Sequence, residues 1–116
     1  MSSISSYKDL LIWKKGIVIV VKVYQLTKAF PSEELYALTS QIKRASVSIP
    51  SNIAEGSSRS SIKEFSHFLD IAIGSCFELE TQLILSSNLF NIQNDELIER
   101  CQQLQRMIIG FKDHLK

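Results

Sequence analysis

Only two cysteines, two histidines and four glycines occur in the 116 residues, and each scarcity removes a class of function. Cys76 and Cys101, with no Cys-x-x-Cys, are too few for a disulfide scaffold and are expected to be buried free thiols in a reducing cytoplasm. The glycines are scattered, so no phosphate-cradling loop is present. Glu64 and His67 form one Glu-x-x-His step. A di-iron bundle site needs two such steps and two further inward glutamates, so no metal and no other cofactor is expected. Cys76 and Cys101 sit on apolar stripes without a base nearby, which suits packing rather than nucleophilic attack. Glu78 and Glu80 are two apart and point in different directions, so they do not form a carboxylate pair. No catalytic residue emerges, and the chain is not expected to be an enzyme.

Long apolar runs are missing too. The most apolar stretch, "GIVIVVKV", is bracketed by Lys14–Lys15 and broken by Lys22. It falls short of the roughly 20 residues that a membrane span requires. No secretory leader is recognisable, so a soluble, cytoplasmic protein without membrane contact is expected. Nor does one sign of charge dominate: 13 basic residues face 12 acidic ones, for a net charge of +1. General attraction to nucleic acid is therefore weak, and any such binding needs a local patch. The candidates are Lys14, Lys15 and Lys22 in one segment, and Lys43, Arg44, Arg59 and Lys63 around another.

What the chain does have is hydrophobic residues, 45% of the total, arranged with helical periodicity in four segments. The length suits one domain, residues 1–116, around one core. The first segment runs from about Ser6, with capping-box spacing to Asp9, to Phe30. Its stripe reads Leu10, Trp13, Ile17, Val20, Tyr24, widened by Leu11, Val18 and Val21. The second opens at Ser32 as N-cap with Glu33 and Glu34 in the first turn. It carries Leu35, Leu38, Ile42, Ala45, Ile49 and Ile53 straight through Pro50, which predicts one helix with a kink, stopped at Gly56. The third starts with a Ser61–Glu64 capping box, presents Phe65, Phe68, Leu69, Ala72, Cys76, Leu79 and Leu83, and fades near Asn88. The fourth, from Asn94 or Asp95 to about His114, presents Leu97, Ile98, Cys101, Leu104, Ile108, Phe111 and Leu115. Short connections make neighbouring helices antiparallel. The expected fold is all-α, an up-down-up-down four-helix bundle.

Two features exceed what such a bundle needs. Arg44, Ser48, Asn52 and Glu55 fall within about 80° on the helical wheel, roughly opposite Ile42, Ile49 and Ile53. They read either as a solvated face or as a half-buried polar network, with an Arg44–Glu78 ion pair as one form of it. Gly74, Ser75 and Glu78 share a face of the third helix, where Gly74 costs about 1 kcal/mol against alanine unless close approach uses the space. The second excess is apolar: Ile71, Ile73, Phe77, Ile84 and Leu85 lie off the third helix's main stripe. Surplus apolar surface points to self-association.

The stretches "YKDLLIWKKG", "FPSEELYALTSQIKRASVSIPSNIAEGSSR" and "EFSHFLDIAIGSCFELETQL" resemble the four-helix bundle proteins encoded by intervening sequences in bacterial 23S ribosomal RNA genes. The resemblance covers Tyr7 to about Leu115. It implies an antiparallel bundle that assembles as a homopentameric ring, with no established enzymatic activity. A related branch is similar to the accessory variability proteins of diversity-generating retroelements, which engage RNA and a reverse transcriptase. The family positions matched here are Arg44, Ser48, Pro50, Asn52, Glu55, Arg59, Gly74 and Glu78, and they read as packing and assembly residues. Lys14, Lys15, Lys22, Lys43, Arg59 and Lys63 are the candidate contacts for weak RNA or DNA binding, which five-fold repetition would concentrate around a ring. A protein–protein scaffold or adaptor without nucleic-acid contact is the alternative.

Overall fold

The computed structural model describes residues 6–115, and every regular element among them is helical. Four α-helices carry the fold: α1 (Leu11–Thr27), α2 (Leu38–Ser57), α3 (Ile62–Phe90) and α4 (Asp95–Asp113). They form a four-helix bundle measuring 49 × 23 × 20 Å. Contacts run α1 to α2, α2 to α3, α3 to α4 and α1 to α4, which leaves α1 and α3 on a diagonal. Side-chain pairs descend along one helix as they rise along the next. Glu80 meets Gln102 and Gln105 across α3 and α4, whereas Asp70, earlier on α3, meets Lys112, later on α4.

Local chemistry explains the start of α3. The Ser61 hydroxyl accepts from the Glu64 amide at 3.1 Å, as the capping-box spacing predicts. The helix then runs to Phe90, two residues past Asn88, and closes with Asn91 in the left-handed conformation, φ 56°. The helix α4 follows its expected limits closely.

The first two helices are shorter than their periodicity predicts. Ser6 does not complete a capping box with Asp9: its hydroxyl accepts from the Lys8 amide at 3.2 Å and closes only a 3₁₀ turn, Tyr7–Asp9. Leu10 is extended and buried, and α1 begins after it. At the other end α1 stops at Thr27, and Phe30 tucks against Phe90 with ring centroids 5.1 Å apart. Ser32 likewise opens only a 3₁₀ turn, Ser32–Glu34. The helix α2 starts at Leu38, whose amide donates to Glu34 Oε1 at 3.3 Å.

The inward face of α1 also differs from the predicted one. Ile12, Gly16, Ile19, Val23 and Thr27 are buried, while Ile17 and Tyr24 are exposed. Both stripes are apolar, so burial energy alone does not choose between them. Contact with α2 does: a Cβ at Gly16 would sit 3.3 Å from Pro50 Cβ, so only the glycine-bearing face can pack on the proline ring. Along α2, Ile42, Ala45, Ile49 and Ile53 are buried as expected, joined by Thr39, Ser46, Pro50 and Gly56. The helix continues through Pro50 to Ser57, so Gly56 is not its stop. Gly56 has no left-handed φ, and its missing Cβ is what lets α3 come close: a Cβ there would lie 2.7 Å from Phe68 Cβ. From α3, Leu69, Ala72, Cys76, Leu79 and Leu83 reach the core, and from α4, Leu97, Cys101, Leu104 and Ile108. Ile73, expected on the surplus face, packs partly buried against this core.

Candidate interaction surfaces

The polar stripe of α2 divides when the chain folds. Its inner half meets α3. Ser48 Oγ lies 2.8 Å from Ser75 Oγ, and Asn52 Nδ2 donates back to Ser48 O at 2.8 Å and to Ser48 Oγ at 2.9 Å. Hydrogen bonds thus join Ser48 and Asn52 of this stripe to each other and Ser48 to Ser75 of α3. Ser75 is buried, so leaving its hydroxyl unpaired would carry a desolvation penalty. The Ser46 hydroxyl bonds Lys43 O at 2.8 Å within α2.

The outer half faces solvent. Arg44 and Glu78 line the rim of a cleft of about 480 Å³, together with Gln41, Ala45 and Ser48. No ion pair joins them among the described residues. Both are exposed, where a long side chain gains little by giving up its freedom for a pair in water. Glu78 instead receives Gln82 Nε2 at 3.4 Å. Glu55 pairs with Arg59 at 2.7 Å, and the Arg59 guanidinium lies 4.7 Å from the centre of the Phe68 ring, so this pair straps the end of α2 onto α3. Gly74 is exposed, and a Cβ there would meet nothing within 4 Å. Close approach inside the chain therefore does not use its space.

The candidate cations do not form one continuous patch. Lys22 pairs with Glu96 at 3.4 Å, and Lys43 stands 4.7 Å over the Tyr24 ring. Lys14, Lys15 and Lys63 make no ion pair among the described residues. Both cysteines are free and buried, and burial pushes each thiol up to about 12, with Glu80 and, for Cys101, Cys76 adding to the shift. Such groups are almost wholly protonated at neutral pH and make poor nucleophiles. His67 is exposed with its ring edge-on to Phe68, and no group of three potential metal ligands occurs among the described residues. No helix of the described residues is long and apolar enough to cross a membrane.

Sequence reading missed one polar cluster. Glu80 receives Gln105 Nε2 at 2.8 Å and Gln102 Nε2 at 2.9 Å across α3 and α4. These two donors, Gln105 first, hold its carboxyl below the ordinary value of 4.5. No spacing rule within one helix marks such a contact between residues more than twenty apart.

The close α1–α2 contact at Gly16 and Pro50, the hydroxyl–amide seam between α2 and α3, and the carboxylate clamp between α3 and α4 define an all-α four-helix bundle whose distinctive residues lie between its helices. Residues 8–110 match the model of one family, and the chain belongs to it: the 23S rRNA-intervening sequence proteins. No curated protein matches the sequence.

Proposed function

We propose that this protein is a non-catalytic building block that associates with copies of itself, with the homopentameric ring implied by the family resemblance as the assembly. The observation that carries the reading is apolar surface that one copy leaves uncovered. Leu11, Val21 and Phe77 are each more than half exposed, and Ile71, Ile84 and Leu85 add to them. Apolar area returned from water contributes roughly 25 cal/mol per Å², so a surface of this kind favours burial against another chain. Multi-angle light scattering of the purified protein tests it. A discrete particle near five times the 13.2 kDa chain mass is expected. A single-chain particle at micromolar concentration would remove the proposal.

Weak RNA or DNA binding is the second reading, favoured by Lys14, Lys15 and Lys63, which have no described counter-charge. Gel-shift titration across salt separates it from a purely protein–protein scaffold. Affinity that falls steeply with salt, and is lost when Lys14, Lys15 and Lys22 are replaced together, supports nucleic-acid binding. No shift at low salt supports the scaffold alone.

A further inference from the structure

Two exposed stripes on opposite corners of the bundle lack a partner within the chain. On α1, Leu11, Lys14, Val18, Val21 and Gln25 recur at steps of three and four, all exposed. On α3, Ile71, Gly74, Glu78, Thr81 and Leu85 repeat the same steps, again all exposed. Alternation of three and four is the spacing of a helix-pairing seam. Each stripe covers fourteen residue steps, about 21 Å of helix, so the two match in length. Because α1 and α3 are diagonal neighbours with no close backbone approach and both stripes are exposed, neither stripe can satisfy the other within one copy.

Their charges are complementary. The helix α1 carries three lysines and no acid, while α3 carries one lysine against Glu64, Asp70, Glu78 and Glu80. Lys14 lies within the α1 stripe without a described anionic partner, and Glu78 lies within the α3 stripe without a cationic one. Gly74 supplies the matching shape. It leaves an open notch between Ile71 and Glu78, at a cost in helix propensity that no contact inside the chain offsets.

We infer that the outer stripe of α1 on one copy packs against the outer stripe of α3 on the next copy. With the two helices running in opposite directions, Lys14 meets Glu78, Val18 sits in the Gly74 notch and Val21 meets Ile71. Pairing α1 with α1 would bring together two helices that each carry three lysines and no acid, and pairing α3 with α3 would oppose two Glu78 carboxylates. The unlike pairing avoids both. A contact between two different faces is heterologous: every copy offers a free face to the next, so it builds rings or filaments rather than two-fold dimers. This inference rests on the self-association reading and names its surfaces.

Val21→Glu and Ile71→Glu each place a carboxylate in one stripe at a site exposed in the lone chain. Each variant is expected to keep its helical circular dichroism and to run as a single chain by light scattering. An equimolar mixture retains one intact α1 stripe and one intact α3 stripe, so a particle of twice the chain mass should appear. Single variants that assemble as wild type does, or a mixture that stays single-chain, would overturn the inference while leaving self-association standing. A wild type found as a single chain would remove both. Should either variant misfold, charge reversal decides: Lys14→Glu and Glu78→Lys should each weaken assembly at least tenfold through like-charge contact, and the double variant should recover it. Failure of the double variant to recover is the contrary result.

Discussion

Placing alanine at Gly56 probes how tightly α2 and α3 are held together. The added Cβ would lie 2.7 Å from Phe68 Cβ and 2.9 Å from Phe65 Cδ1. The Phe65 ring can swing aside, but Phe68 Cβ is fixed to the α3 backbone. Relief therefore requires the helices to separate by about 1 Å, to reach the ordinary carbon contact of about 3.5–4.0 Å. Overpacking of this kind costs about 1–3 kcal/mol. Alanine returns up to about 1 kcal/mol through helix propensity, because Gly56 lies inside α2. The expected net loss is about 1 kcal/mol, a fall of roughly 4 °C in the thermal midpoint for a domain of this size. Gly110→Ala is the control: it is helical, exposed and has nothing within 4 Å of a built Cβ, so it should stabilise by up to about 1 kcal/mol. Urea unfolding followed by circular dichroism reads both, at one fixed chain concentration because association would add to apparent stability. The slope with denaturant should stay unchanged, so that midpoints compare directly. A Gly56→Ala protein as stable as wild type, or shifted in the same direction as Gly110→Ala, would refute the close-approach account.

Ser48→Ala and Ser75→Ala should each cost about 1 kcal/mol, and the double variant at least 0.5 kcal/mol less than their sum, because both single changes remove the same contact and Ser48→Ala also orphans the buried Ser75 hydroxyl, whereas Ser48 keeps its bond from Asn52; additive costs in a denaturation cycle would show that the 2.8 Å contact is not coupled. The Gln105 and Gln102 donors lower the folded pKa of Glu80, so its contribution is fully present above the ordinary value of 4.5 and is lost as pH falls through the folded value. Glu80→Gln should accordingly flatten the decline of the urea midpoint below pH 4.5, and an unchanged acid limb would count against the clamp.

The four helices and their order are legible in the chain because the signals are local. Ser61 and Glu64 start α3 wherever the rest of the protein lies, and the apolar steps from Leu69 to Leu83 and from Leu97 to Ile108 have one possible inner face. Capping motifs were less informative where a competing hydrogen bond was available. Ser6 and Ser32 each have cap chemistry, yet Ser6 caps only the 3₁₀ turn Tyr7–Asp9, Ser32 lies inside a 3₁₀ turn that has no side-chain cap, and the α-helix begins later in both places. Of the candidate assembly residues, Ser48 and Asn52 were recognisable as a polar stripe, but Ser75 as their partner follows only from the crossing of α2 and α3.

The sequence by itself determined an all-α chain with more apolar surface than one bundle can bury, since periodicity and composition depend on no distant residue. Tertiary structure alone decided how α1 is rotated. Two apolar stripes compete on that helix, and the close fit of Gly16 against Pro50 turns Ile12, Ile19 and Val23 inward. It also decided that Gly56 is a place of helix contact rather than a helix end, and that Gly74 lies open. Such choices depend on distances between helices, and the spacing of residues along one helix contains no information about them.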